Sequence, residues 1–246
     1  MIRLQKWFSV GICLVSLASP ILLASPIQAD DGIVTKQGPA ATETKRFDLL
    51  VREDIFAGFQ GDENALQRGE TTCEEALKTN PKNAEALVWR GAIRVYKAGM
   101  LFGKDKPLEA FPLWMSGQKD MDEAVKLEPD NVGVRIPRAS VLLPSARNAP
   151  PAMAGPLLKT VLGDFEYIYK KQEKHLDDLD SHSRGELRMG LADTYRLLGK
   201  LDQSREQLEA IAKELPNTEY ATTAKDWMAA APTAKLAHNC IGCHSK

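Results

Sequence analysis

Cysteine is scarce: four in 246 residues, too few for a disulfide framework. Cys13 lies in an apolar N-terminal stretch, and an odd three follow it, Cys73, Cys240 and Cys243. Aromatic residues make up only 7%, while Ala and Leu dominate, which favours helices over a sheet sandwich. Net charge is missing too. With 32 basic and 33 acidic residues the balance is -1, so nucleic acid is not expected as a partner. An acidic partner or an anionic membrane is not indicated either. Histidine occurs four times, with no paired run and no second C-x-x-C, so a closed zinc site lacks ligands. No Ser-His-Asp arrangement, phosphate-cradling glycine loop or paired carboxylate set stands out, and no catalytic residue is assigned. What remains is an ordinary globular composition, 43% hydrophobic and 26% charged, enough for one good-sized domain or two small ones.

The N-terminus reads as a secretory signal over residues 1–29. Arg3 and Lys6 supply a short positive region, and Trp7 to Leu23 is apolar apart from Ser and Pro. Ala29 precedes a plausible cut ahead of Asp30. Retention as a membrane anchor is the rival reading; the run is short and Pro20 and Pro26 interrupt its end. Cleavage predicts an exported, periplasmic protein with no membrane span. Residues 30–42 carry Gly, Pro and charge without a period and read as a flexible leader.

From residue 43 to 231 the pattern is helical and repeats. Cys73 to Pro81, Met121 to Pro129 and Leu208 to Pro216 are each an amphipathic helix end closed by proline at the same offset. Asn83 and Asn131 then open new helices. Leu191, Ala192, Tyr195, Gly199, Ser204, Leu208, Ile211 and Pro216 form the best unit, and Gly69, Cys73, Ala76, Gly91, Gly117, Met121 and Ala124 mark earlier ones. This pattern resembles the tetratricopeptide repeat (TPR), a 34-residue helix-turn-helix unit. The resemblance implies an all-α fold, a tetratricopeptide-like α-solenoid of about four irregular helix pairs. It also implies a concave groove that binds a protein partner. Two departures are expected. Met100 to Leu113 read as an insertion between paired helices, and Pro144, Pro150, Pro151 and Pro156 break the third unit, whose second helix spans 157–174. Thr218 to Met228 reads as a capping helix with Tyr220, Ala224 and Trp227 or Met228 inward.

Residues 232–246 form a tether ending in Cys240-Ile241-Gly242-Cys243-His244. C-x-x-C-H is the attachment signature of a c-type haem. Two thiols add across the two vinyl groups, and the next residue brings an imidazole to the iron. Cys240 and Cys243 are therefore the covalent haem attachment residues, and His244 the proximal iron ligand. The export signal supports this, because such haem is attached outside the cytoplasm in bacteria. The motif resembles that of c-type cytochromes, but only two residues follow it here, so no later segment wraps the haem. Any covering surface comes from upstream. Candidates for the sixth ligand are His182, Met228, His175 and His238, with His182 placed ahead of Met228; a water-bound or vacant site is the alternative. The expected role is electron transfer with a docked partner, possible redox protein included. The rivals are a TPR scaffold in which haem is secondary and a haem sensor with an open sixth site.

Overall fold

The computed structural model describes residues 46–231, 234 and 236. The predicted signal, most of the leader and the C-x-x-C-H motif lie outside the described residues. Those described are all-α: α1 Asp48–Phe59, α2 Glu63–Thr79, α3 Ala84–Gly103, α4 Pro107–Leu127, α5 Val132–Asn148, α6 Pro151–Gln172, α7 Ser181–Leu197, α8 Leu201–Glu214 and α9 Glu219–Ala229. A 3₁₀ segment, Glu173–Asp178, leads from α6 towards α7.

Polar side chains set the starts. Asp62, Asn83, Asn131, Asp180 and Thr218 each accept a hydrogen bond from a first-turn backbone N–H. Each such cap is worth about 1 kcal/mol. Neighbours then pair as hairpins: α1 with α2, α3 with α4, α5 with α6, α7 with α8, and α9 on α8.

The odd helices run parallel. At their starts the Asp48 backbone N–H donates to Glu85 Oε2 at 3.2 Å, and the Tyr96 hydroxyl donates to the Phe59 carbonyl at 3.3 Å near the end of α1. Gly133 lies beside the Glu85 carboxylate at the start of α5. Arg147 and Asp193 join α5 to α7 near their ends. Tyr220 meets His182 at the starts of α7 and α9, and Arg196 covers Trp227 near their ends. The C-terminal ends of the odd helices and the N-terminal ends of the even ones therefore share one edge. Met100, Phe102, Leu108, Phe111, Met153 and Leu201 are exposed there.

Two expectations are corrected. Met100 to Leu113 are not a loop inserted between helices: they lengthen α3 and α4, and the turn is only Lys104 to Lys106. α3 continues from Lys97 to Gly103 past the end of α1, a projection of ~10 Å at 1.5 Å per residue. Nor do all four prolines break the third unit: Pro150 and Pro151 mark the turn between α5 and α6, but the other two do not. Pro144 and Pro156 sit inside α5 and α6, and α6 starts at Pro151 rather than at 157. An interior proline costs roughly 3 kcal/mol. Burial of Leu142, Leu143 and Ala146 around Pro144, and of Leu157, Leu158 and Val161 after Pro156, offsets it.

The hydrophobic core has two parts. The larger runs from Val51 to Leu191 through α1 to α7. The smaller joins Met189 and Ala192 of α7 to Leu208 and Ile211 of α8 and Tyr220, Ala224 and Trp227 of α9. Small residues let α3 and α4 cross closely. A Cβ on Gly91 would stand 2.6 Å from the Gly117 carbonyl oxygen. Because that obstacle is backbone, Gly91→Ala is expected to cost about 1–3 kcal/mol by overpacking. A chemical-denaturation midpoint equal to wild type would refute this.

Candidate functional site

The motif residues Cys240, Cys243 and His244, and the candidate His238, lie outside the described residues. The structure does describe the root of the tail that carries them. The Ala234 N–H donates to the Ala231 carbonyl at 2.8 Å, turning the chain back after α9. Leu236 packs on the smaller core cluster, as does half-buried Met228.

Arg196, near the end of α7, holds this root. Its guanidinium donates to the carbonyls of Ala234 at 3.3 Å and Leu236 at 2.9 Å. It also pairs with Asp193 Oδ1 at 2.8 Å and covers the Trp227 ring at 5.4 Å. Asp193 is fully buried, and its other oxygen accepts from Arg147 Nε of α5 at 2.7 Å. A charge-assisted chain thus runs from α5 through α7 to the tail, and it is directional because a guanidinium is a rigid fork of donors.

The sixth-ligand candidates separate into two places. His175 is two-thirds exposed in the 3₁₀ segment, with Nδ1 3.0 Å from Asp178 Oδ2. His182 is in the first turn of α7. Its Nδ1 lies 2.8 Å from the Tyr220 oxygen, and Tyr220 donates its own proton to Glu186 at 2.7 Å, so Nδ1 is the donor to Tyr220. His182 and Arg196 stand at opposite ends of α7, about 21 Å apart along its axis. Met228 is at the end of α9, beside the tail root. Met228 shares an apolar cluster with Leu236, and His182 lies at the other end of α7.

Cys73 is buried in α2 with a free thiol. Burial pushes the thiol from its ordinary 9.0 up to about 12, against the opposing pull of Arg90. It is therefore no nucleophile at neutral pH. The unfolded chain sheds this proton near 9.0 while the folded chain keeps it to about 12. The stabilising contribution is whole below the lower value and is lost as pH rises through that window, at about 1.4 kcal/mol per pH unit. Denaturation midpoints across alkaline pH should show this decline, and Cys73→Ala should remove the part that begins near 9. An equally steep decline in the variant would refute it. Tyr195, raised to about 12 by burial and by its bond to Glu166, adds a second decline above its ordinary 10.0.

One set of residues escapes a reading of the sequence. Each of the last three hairpins pairs an arginine of its odd helix with an acid of its even helix: Arg90 and Arg94 with Asp120, Arg135 and Arg138 with Asp164, Arg188 with Glu214. The partners stand 26 to 30 positions apart, as in Arg188–Glu214 and Arg90–Asp120, so no local charge pattern marks them. Among the described residues no three His, Cys, Asp or Glu side chains gather as a cation site. Trp89, Trp114 and Trp227 are buried in the packing between helices.

No family model, curated protein or solved structure matches the chain.

Proposed function

We propose that this is an exported TPR-like α-solenoid that carries one covalent c-type haem on its tail and transfers electrons to or from a docked protein. The observation that carries the reading is Cys240-Ile241-Gly242-Cys243-His244 at the end of a chain that begins with a signal-like stretch. Cys240 and Cys243 attach the haem and His244 ligates its iron. The haem supplies the electron chemistry when bound, and the protein supplies position, axial ligation and exposure.

The helix arrangement supports the scaffold half of the reading. Successive hairpins whose odd helices run parallel are what a helical-repeat stack requires. In such a stack the odd helices line a concave groove, which is the place for a protein partner. α9 covers the apolar end as a cap, with Tyr220, Ala221, Ala224 and Trp227 turned inward. The residues at the tail root also fit a haem. A thioether, Met228, and an apolar cluster adjoin Leu236, four residues before Cys240 in the sequence.

The test is expression of the full chain in a host that attaches haem c. Haem stain that survives denaturation, together with a sharp reduced α-band, supports the reading; their absence refutes it. The scaffold reading makes a different demand. Partner binding and cellular function that persist unchanged after deletion of residues 237–246 would favour it.

A further inference from the structure

We infer that the tip of the α3/α4 hairpin is a membrane-docking element, which seats the protein on a lipid bilayer by inserting Phe102, Leu108 and Phe111 into its surface. No helix among the described residues is long and apolar enough to cross a membrane, and the contact meant here is with one face of the bilayer.

The sequence places two apolar stripes on α4. Ala110, Trp114, Gly117 and Met121 are buried, with Gly117 and Met121 against Gly91 of α3. Leu108, Phe111, Pro112 and Met115 repeat at helical spacing on the outer side and are exposed. Gln118, Lys119 and Asp122 continue that face as polar residues, so the outer stripe is confined to the start of α4. Across the turn, Met100 and Phe102 of α3 are exposed as well. Of the ten large hydrophobic side chains exposed among the described residues, five lie between positions 100 and 115, and Leu108, at 89%, is the most exposed of all. Single exposed hydrophobics are ordinary, but a contiguous set marks a contact surface. The set is held rigid: the Phe102 ring meets Phe111 edge-on at 5.3 Å and Trp114 at 6.5 Å.

Size, shape and backbone choose lipid over a second copy of the chain. A stable protein interface takes roughly 20–30 residues a side, and this patch offers a handful. A bilayer sets no such minimum, because binding grows with each apolar side chain inserted. The patch is a convex tip rather than a groove. It stands ~10 Å beyond the end of α1, which matches the roughly 5–10 Å to which interfacial elements sink. In an apolar medium each backbone N–H needs a partner within the protein. At the turn the Lys104 N–H donates to Leu101 at 3.1 Å, that of Asp105 to Phe102 at 3.1 Å and that of Lys106 to Leu101 at 3.0 Å. Pro107, at the start of α4, brings no donor at all.

Charge then selects the kind of lipid. Lys104 and Lys106 are balanced at the tip by Asp105 and Glu109, and Lys106 pairs with Glu109 at 3.0 Å. Balanced charge suits a zwitterionic headgroup layer and gives no preference for an anionic one. The long lysine stems keep their ammonium groups at headgroup level while Leu108 goes deeper. The rest of the edge agrees. Met153 at the start of α6 and Leu201 at the start of α8 are exposed on it, and Asn148 to Leu158 carry no charged residue.

The experiment uses the purified full chain and phosphatidylcholine vesicles. Leu108→Trp places a reporter at the tip, and Ile136→Trp places one near the start of α5 on the other edge, where Ile136 is also exposed. On vesicles the emission added by Leu108→Trp should shift to the blue and be quenched by lipids brominated in the acyl chains. The emission added by Ile136→Trp should do neither. Leu108→Asp should fold, because the side chain is exposed and an acid suits the first turn of a helix. In vesicle co-sedimentation it should lower the partition coefficient about tenfold or more, the worth of one buried leucine. Absence of quenching in Leu108→Trp, equal quenching in both tryptophan variants, or an unchanged coefficient in Leu108→Asp overturns the inference. So does a dimer in analytical ultracentrifugation that Leu108→Asp dissociates while vesicles bind neither form, since the tip then meets a second copy. Far-UV circular dichroism melts confirm that each variant is folded before it is compared.

Discussion

Asp164→Ala is expected to lose roughly 3–5 kcal/mol of stability, the cost of breaking a buried ion pair from one side. Asp164 is fully buried in α6 and accepts from two arginines of α5. Arg138 donates to both of its oxygens at 2.7 Å, and Arg135 donates to Oδ1 at 2.7 Å. Without the carboxylate, two guanidiniums of α5 are left side by side against α6. Arg135 keeps the Pro129 carbonyl and the Tyr167 ring, 4.1 Å away. Arg138 keeps only the bond to Asp122, which is largely exposed and screened. The double variant Asp164→Leu with Arg138→Met replaces charges by apolar groups of similar size. It should recover much of the loss, because the desolvation cost goes with the charges. Urea denaturation decides the matter. A single variant within about 1 kcal/mol of wild type would mean that water, not Asp164, neutralises these arginines.

Asp193→Ala is expected to cost a similar amount, roughly 3–5 kcal/mol, and to release the tail as well. The carboxylate is fully buried and joins Arg147 to Arg196. Its removal takes from Arg147 the carboxylate that ties α5 to α7 and frees the Arg196 fork to turn away from Ala234 and Leu236. Two readouts separate the effects. The thermal midpoint reports the hairpin contact, while the rate of tryptic cleavage after Lys235 under native conditions reports the tail. Asp193→Asn keeps the shape and loses the charge, so it should fall between wild type and Asp193→Ala on both. Unchanged cleavage in a destabilised Asp193→Ala would show that Arg196 grips the tail without help from Asp193.

The helix starts were legible in the sequence because they are local. Asn83, Asn131 and Thr218 cap what their positions suggest, and the capping helix begins one residue after Thr218. The prolines misled because local preference was weighed without packing. Pro144 removes one backbone bond from α5, but Leu142 and Leu143 bury against neighbouring helices and hold the helix together. The stretch from Met100 to Leu113 read as an insertion because the repeat pattern has no place for it. Its own spacing, Leu108, Phe111 and Met115, is helical, and that signal was available. Arg138 and Asp164 could not be found, since charges in sequence look solvated until a tertiary contact joins them.

The smaller core cluster has a consequence for motion. It joins α8 and α9 to one face of α7, apart from the larger core that runs from Val51 to Leu191. In linear helical arrays the terminal units open at a lower free energy than the whole. Opening of α8 and α9 alone would loosen Trp227 and Leu236 while the helices of the larger core stay packed. Amide hydrogens of these two helices should then exchange through a sub-global event, faster than those of α3 and α5. The tail root is thus tied to helices outside the larger core, and its release should follow their local opening rather than unfolding of the whole fold.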